Sequence, residues 1–147
     1  ATEEENRERV IRLLSYIFSK FGAFQDDGGR ACAYQLDEQH FAVVMPVFFQ
    51  QLAKFSGDVL DISLGDKTII SIFKQYNWLY CNEEDDQYYS KLALQKGNVG
   101  FTLSVAIVKS EPFIKAGAFI KGKIKILAKE YDNVASLMQS DPPLSWF

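Results

Sequence analysis

The first segment that could do chemistry is rich in glycine and lysine. "GAFIKGKI", residues 117–124, matches the G-x-x-x-x-G-K half of a phosphate-binding loop. A complete loop continues with a Ser or Thr, whose hydroxyl holds magnesium, and it joins a strand to a helix. Ile124 stands in that position, and the alternation of Ile and Lys favours an extended segment. The match therefore indicates no nucleotide site.

The sequence also offers few residues that could bind a metal or act as a nucleophile. Calcium loops place their ligands at alternate positions around a glycine, whereas the four acids at 83–86 are contiguous. His40 is the only histidine, and no pattern brings Cys32 to it as a nucleophile. Cys32 and Cys81 are too far apart in sequence for a zinc motif, and we expect both thiols to be reduced and buried. We therefore predict a non-catalytic protein with no cofactor and no metal.

Length and composition favour one globular domain, residues 1–147. With 48% apolar and 14% aromatic residues the chain can bury a core, unlike a disordered chain. No run approaches the roughly 20 apolar residues of a membrane span, and the start lacks the pattern of a signal peptide. We therefore expect no membrane association and a cytoplasmic location. The chain begins "ATEEE" without an initiator Met, so we expect a domain excised from a longer protein.

Charge is distributed unevenly along the chain. Residues 1–66 contain eleven acids and six bases, a balance of −5, whereas residues 91–130 contain eight lysines and two glutamates, a balance of +6. A local positive potential attracts an acidic partner even where the total charge, −3 here, is negative. The basic region therefore indicates either a surface for an acidic partner or only the solvent-facing sides of strands.

The hydrophobic pattern predicts a mixture of helices and strands. Apolar residues at offsets of three and four indicate helices, and alternation bounded by turn residues indicates strands. Pro46 suits a helix start and Gly57 a helix end. The predicted helices span residues 3–21, 46–56, 64–77 and 134–138, and the predicted strands span 31–36, 41–45, 78–81, 87–94 and 100–108. "IKGKIKIL", residues 120–127, is expected to form another strand, although a helix over 113–131 fits as well.

The order of these elements predicts the fold class and a contact surface. We expect an α+β, winged-helix-like domain with an N-terminal helix, two central helices and a β-hairpin or small antiparallel sheet, its core spanning about residues 31–108. In such domains the second central helix enters the major groove, and the hairpin lies along the backbone. The predicted contacts to nucleic acid or a partner are Lys67, Ser71, Lys74, Gln75, Lys96, Asn98, Lys121, Lys123 and Lys125.

"YQLDEQHFAVVMPVFFQQLA", residues 34–53, resembles a segment in the C-terminal modules of TraI-like (MobH-type) conjugative relaxases. There a strand passes through a "V-x-P-x-x-F" step into a helix, and "YNWLY", residues 76–80, resembles the strand start that follows their winged-helix turn. The resemblance spans roughly residues 34–108. It implies a winged-helix accessory module of a DNA-transfer protein without catalytic residues, because strand cleavage in such proteins belongs to another domain.

Two functions stay open at this point. The first is a module of a DNA-processing or DNA-transfer protein that touches the phosphate backbone through lysines. Base reading is disfavoured, since guanine is most often read by arginine and no arginine follows residue 30. The second is a protein–protein interaction or adaptor domain without nucleic-acid binding, which meets a protein partner or a second copy through aromatic anchors. The expected anchors are Tyr88, Tyr89, Trp146 and Phe147.

Overall fold

A computed structural model describes residues 3–81, 86–117 and 124–138 of the chain. In it, a four-stranded antiparallel sheet lies between a layer of helices and a short C-terminal segment. Successive side chains along a strand point to opposite faces of a sheet. One set of buried residues therefore packs against the helices, on what we term the helix face. The other set packs against residues 127–137, on what we term the tail face.

The N-terminal helix, α1, spans Glu3–Phe21 and confirms the prediction. Val10, Leu13, Leu14 and Ile17 are buried, because offsets of three and four return to the same side of a helix. This stripe packs against the next helix of the chain and against the short helix that follows the sheet.

The first hairpin precedes the two central helices. β1 (Ala33–Gln35) and β2 (His40–Val44) pair antiparallel, so both predicted strands are confirmed, the first in shortened form and the second shifted by one residue. The intervening residues 37–39 are exposed, as expected for a polar turn. Phe41, Ala42 and Val43 are fully buried, which makes β2 a central strand of the sheet.

The first central helix, α2 (Val47–Leu60), is longer than the sequence suggests. The predicted end at Gly57 is wrong, because the helix continues to Leu60 and Asp61 adopts the left-handed conformation, with a φ of 57°. Burial is the physical reason: Leu60 is only 7% exposed and packs in the core. The buried Ser56 hydroxyl also accepts a hydrogen bond from the Leu64 N–H at 2.8 Å. These contacts offset the cost of a helical glycine, about 1 kcal/mol.

The second central helix, α3 (Asp66–Gln75), lies within its predicted range. Its buried side consists of Ile69, Ile70, Ile72 and Phe73. The helical stretch stops before Asn77, which has a φ of 55°.

Residues 78–81 do not form the predicted strand. Trp78 is 1% exposed and packs on Phe73, with the ring centroids 5.5 Å apart. Within the described residues, pairing of this segment with the sheet is limited to Leu79 opposite Val108. Burial of the aromatic side chain therefore decides the path of the chain here, and a regular ladder does not form.

The second hairpin completes the sheet. β3 (Tyr89–Lys96) and β4 (Val99–Lys109) are joined by a two-residue turn in which Gly97 has a φ of 61°. The strand order is β1-β2-β4-β3, so β2, which precedes the central helices, pairs with β4, which follows them. This arrangement of a strand, two helices and a returning hairpin confirms the predicted α+β, winged-helix-like fold class.

In the described part of the chain after the sheet there are three short helices: α4 (Glu111–Lys115), α5 (Leu127–Glu130) and α6 (Val134–Met138), the last of which confirms a prediction. The expected strand at 120–127 lies partly outside the described residues. In its described part, Ile126 pairs with Gln35 and α5 begins directly afterwards, so no extended strand forms there. Among the described helices, none has the length and apolar character to cross a membrane.

The stack of Phe113 on Phe41 joins α4 to the sheet. The two rings are nearly parallel, at 4°, with centroids 4.1 Å apart, and both side chains are fully buried. We expect Phe113→Ala to lower the free energy of unfolding by about 3–5 kcal/mol, because transfer free energy is lost and a cavity remains. The control is Ile114→Ala, whose side chain is 50% exposed and whose loss should change stability by about 0.5 kcal/mol. Urea denaturation followed by circular dichroism measures both, and equal losses would contradict the packing described.

Candidate nucleic-acid interface

The outer side of α3 carries four of the predicted contact residues. Lys67, Ser71, Lys74 and Gln75 lie opposite the buried side of the helix, as their spacing predicts. The Ser71 hydroxyl donates to the Lys67 carbonyl at 3.0 Å, which ties it to the helix backbone. Lys67 is exposed and forms no ion pair with any residue that the structure describes. The structure therefore brings these four residues together, with Lys67 as the accessible cation.

Lys74 is engaged within the molecule. Its Nζ lies 3.2 Å from Asp86 Oδ2 and 4.7 Å from the centroid of the Tyr88 ring. A carboxylate and the face of an aromatic ring thus hold the same ammonium group. Because Asp86 already matches its charge, Lys74 is less available to a phosphate than the sequence alone suggests.

The β3–β4 hairpin extends beyond the helix layer. On the helix face Ala106 is fully buried, whereas Lys91, Ala93 and Thr102, which lie closer to the turn, are exposed. At about 3.3 Å per residue, the uncovered length of β3 from Lys91 to the turn is about 15 Å. We term the helix face of residues 91–95 and 100–104 the open face. The tail face of the same stretch is covered at Leu92 and Leu94, which pack against the C-terminal segment, whereas Phe101 near the turn stays 43% exposed.

The outer edge of β3 near the turn is held by residues 132 and 133. The Asp132 carboxylate accepts a hydrogen bond from the Gly97 N–H at 2.8 Å. Asn133 accepts from the Gln95 N–H at 3.0 Å through Oδ1 and donates to the Ala93 carbonyl at 2.9 Å through Nδ2. The side chain of Asn133 thus occupies hydrogen-bonding groups that a neighbouring strand would otherwise use.

The predicted contacts in the turn, Lys96 and Asn98, are both exposed. Lys96 has no ion pair within the described part of the chain. The Asp132 carboxylate nearby lowers the positive potential around the turn, so the turn is a weaker anion site than its lysine alone would make it.

The last three predicted contacts are the lysines at positions 121, 123 and 125. Lys121 and Lys123 lie outside the described residues. Lys125 is exposed, and its carbonyl accepts a hydrogen bond from the Gln35 N–H of β1 at 2.8 Å. Because β1 and β3 are opposite edges of the sheet, the structure does not bring Lys125 to α3 or to the hairpin.

Two residues outside the predicted nucleic-acid set lie on the helix face of β3. Tyr89 is 42% exposed and its ring centroid is 5.3 Å from that of Tyr88, at 69°. Lys91, two residues later, is exposed and has no ion pair among the described residues. The two-residue turn at 97–98 is the sequence signal that could have identified these two residues. Such a turn fixes the pairing register of β3 with β4, and the alternation along β3 then places residues 89, 91, 93 and 95 on one face.

A second polar cluster lies at the end of the first hairpin. His40 Nδ1 is 2.8 Å from Asp37 Oδ1, and His40 Nε2 is 3.1 Å from the Tyr80 hydroxyl. Burial raises the pKa of the Asp37 carboxyl, but hydrogen bonds from the His40 ring and the Gln39 N–H outweigh it, so the pKa is lowered from its ordinary value. The cluster links the turn of the first hairpin to the segment that follows α3.

The cysteines are free thiols, as predicted. Cys32 is 2% exposed, and burial, reinforced by Asp26, raises its pKa to about 12. Its thiol therefore stays protonated and is no nucleophile at neutral pH. Cys81 is only half-buried, so the expectation of burial is wrong for this thiol. Within the described ranges, no group of three or more His, Cys, Asp or Glu side chains is placed to hold a metal.

The lowered pKa of Asp37 predicts a pH dependence of stability. A carboxyl whose pKa is lower in the folded state stabilises the fold above its ordinary pKa, about 3.9, and this stabilisation is lost as pH falls through the folded-state value. Asp37→Asn should lower the free energy of unfolding at pH 7 by about 1 kcal/mol or less, since the site is half exposed. It should also flatten the loss of stability below about pH 4.

Urea denaturation between about pH 2.5 and 7 measures this effect. Glu38→Gln is the matched control, because Glu38 is an exposed neighbour in the same turn. A wild-type pH profile that Asp37→Asn leaves unchanged would rule out the contribution of this cluster.

Comparison with known proteins does not place the chain in a family. No protein-family model matches it, and neither a curated protein nor a solved structure matches it. The resemblance to relaxase modules therefore stays a prediction. The function has to be argued from the geometry of α3 and the hairpin.

Proposed function

We propose that this domain is a non-catalytic, winged-helix-like module of a DNA-processing or DNA-transfer protein and that it contacts the phosphate backbone of nucleic acid. The observation that carries the proposal is the open face of the β3–β4 hairpin, which projects past the helices and carries an exposed lysine without a partner among the described residues. Lys91 lies on this face and Lys96 at its end. Lys67 lies on the outer side of α3, whose other end contacts the segment before β3 through Lys74, Asp86 and Tyr88.

The distribution of ion pairs supports this choice of surface. Lys54 pairs with Asp27 at 2.8 Å, and Lys115 pairs with Glu111 at 3.1 Å. The lysines of the proposed surface have no such pairs within the described part of the chain. The charges of Lys67 and Lys91 are therefore not offset by a direct ion pair with a described residue, and a local positive potential steers an anionic partner even though the whole protein is acidic.

The same surface favours binding without base recognition. Arginine, which makes the commonest bidentate contact to guanine, is absent from the sequence after residue 30. Arg7 pairs with Glu111, and Arg12 donates to the Val59 carbonyl. Lysines contact phosphates as point charges, so we expect affinity that depends on salt and little on sequence.

Fluorescence anisotropy with labelled DNA at several salt concentrations tests the proposal. We expect binding at about 50 mM salt and a linear fall of the logarithm of the association constant with the logarithm of the salt concentration. The double variant Lys67→Ala/Lys91→Ala should make that slope shallower by about 1–2, because each lysine that contacts a phosphate contributes about one counterion.

Lys54→Ala is the matched control, since it removes another exposed lysine, which is paired with Asp27 elsewhere on the molecule. It should leave both affinity and slope unchanged. Absence of binding to any DNA at low salt, or an equal effect of the control, would refute the proposal.

A protein-interaction role is the second candidate, and the apolar end of the hairpin favours it. Val99 is 55% and Phe101 is 43% exposed, and both lie on the tail face near the turn. Exposed aromatic residues are frequent anchors of interfaces. Light scattering tests for a second copy as the partner. We expect Val99→Ser/Phe101→Ser to abolish any self-association if this face is used, and a strict monomer of wild type would exclude that version.

A further inference from the structure

We infer that the open face of the hairpin takes single-stranded nucleic acid in preference to duplex. The inference rests on the proposed function and deepens it by naming the class of ligand. Three features carry it: an exposed tyrosine ring two residues before the open face on the same side of β3, mostly small side chains along that face, and an ion pair that occupies the Lys74 ammonium group where a duplex would meet α3.

Tyr89 supplies an oriented stacking surface. It is the first residue of β3, and its cross-strand partner is the buried Ala106, so it points to the helix face. Its ring meets Tyr88 edge to face at 5.3 Å, and Tyr88 is itself packed against the core and under the Lys74 ammonium. Tyr88 thus supports the ring of Tyr89, which stays 42% exposed. An exposed, supported ring is what an unpaired base stacks on.

The residues beyond Tyr89 on the open face are mostly small. Ala93, Gly100 and Thr102 are exposed, and no described helix covers them. Gln95, opposite Gly100 next to the turn, is the longer exposed side chain at the far end of this face. Lys91 lies among the small residues, opposite Ser104 on β4. A chain that stacks one base on Tyr89 can therefore run along the open face with its phosphates near Lys91. The pairing of an aromatic ring with a lysine on an open surface is the combination typical of single-strand binding.

A duplex fits this surface less well. To read a duplex, α3 would enter the major groove with its outer side facing the base edges and its ends near the flanking phosphates. On that side the ammonium of Lys74 is already paired with Asp86, whose side chain is 78% exposed. Because this ion pair is neutral, the C-terminal end of α3 offers no uncompensated ammonium group to the phosphates that flank the groove. A single strand that runs from Tyr89 toward the turn moves away from the Asp86 carboxylate.

The test compares ligands of equal length by anisotropy at two salt concentrations. The probes are an oligo-dT without secondary structure and a duplex of mixed sequence. We expect the oligo-dT to bind at least about tenfold more tightly. Tyr89→Leu should weaken oligo-dT binding by between about fivefold and about a hundredfold, the range for one base–aromatic stack, with little effect on the duplex. Tyr89→Phe should retain binding, because the stacking face is kept.

Phe101→Leu is the matched control, since it removes an equally exposed ring from the opposite face of the same hairpin. It should not change the affinity for oligo-dT. A 2-aminopurine placed in the oligonucleotide reports stacking directly, by fluorescence quenching that Tyr89→Leu removes and Phe101→Leu keeps. Circular dichroism and urea midpoints verify that each variant folds.

The outcomes separate this inference from the proposal beneath it. Equal or tighter binding of the duplex, or wild-type affinity of Tyr89→Leu for oligo-dT, would overturn the inference and leave the proposed function standing. If neither the oligo-dT nor the duplex binds at low salt, the inference and the proposed function are both refuted.

Discussion

The pairing of β2 with β4 holds the two halves of the chain together. It aligns residues from His40 opposite Lys109 to Val44 opposite Val105. In chain order the two central helices and the edge strand β3 lie between β2 and β4, so the pairing of these two central strands closes the loop that contains both helices. The register also decides which side chains enter which core. A shift of one residue would turn Phe41 and Val43 from the helices to the tail face.

Aromatic packing makes this arrangement specific. Phe73 meets Phe49 at 5.2 Å and Trp78 at 5.5 Å, both nearly perpendicular. Edge-to-face contacts of this kind add about 0.5–1.5 kcal/mol each beyond the area that they bury. They fix the end of α3 and the segment after it, and thereby bring Lys74 beside Tyr88 at the start of β3. The geometry of the surface is thus a consequence of the packing beneath it.

The electrostatic character of the surface follows from which cations find partners. Asp86 matches the charge of Lys74, and Asp132 lies at the hairpin turn beside Lys96. Exposed ion pairs contribute little to stability, typically below about 1 kcal/mol. They nevertheless reshape the local potential. Of the two lysines on the outer side of α3, Lys74 is neutralised by Asp86 and Lys67 stays accessible, and the open face of the hairpin adds a further accessible cation, Lys91.

The local pattern of residues was sufficient for the type and order of most elements. Offsets of three and four define α1 and α3, and the glycine at position 97 defines the second hairpin, because these signals arise from interactions between near neighbours in the chain. The end of α2 and the path of residues 78–81 were missed, since burial of Leu60 and Trp78 overrode local preference. The spacing along α3 also predicted that its outer residues share a side.

The sequence alone did not predict which residues far apart along the chain would be in contact. The separation of Lys125 from the hairpin depends on strand order, and the ion pair of Lys74 depends on where the chain returns after α3. Both are set by long-range contacts, which no local pattern encodes. Composition and spacing therefore determined the elements and the supply of lysines, whereas tertiary packing decided which lysines stay unpaired and where a tyrosine ring stands exposed beside them.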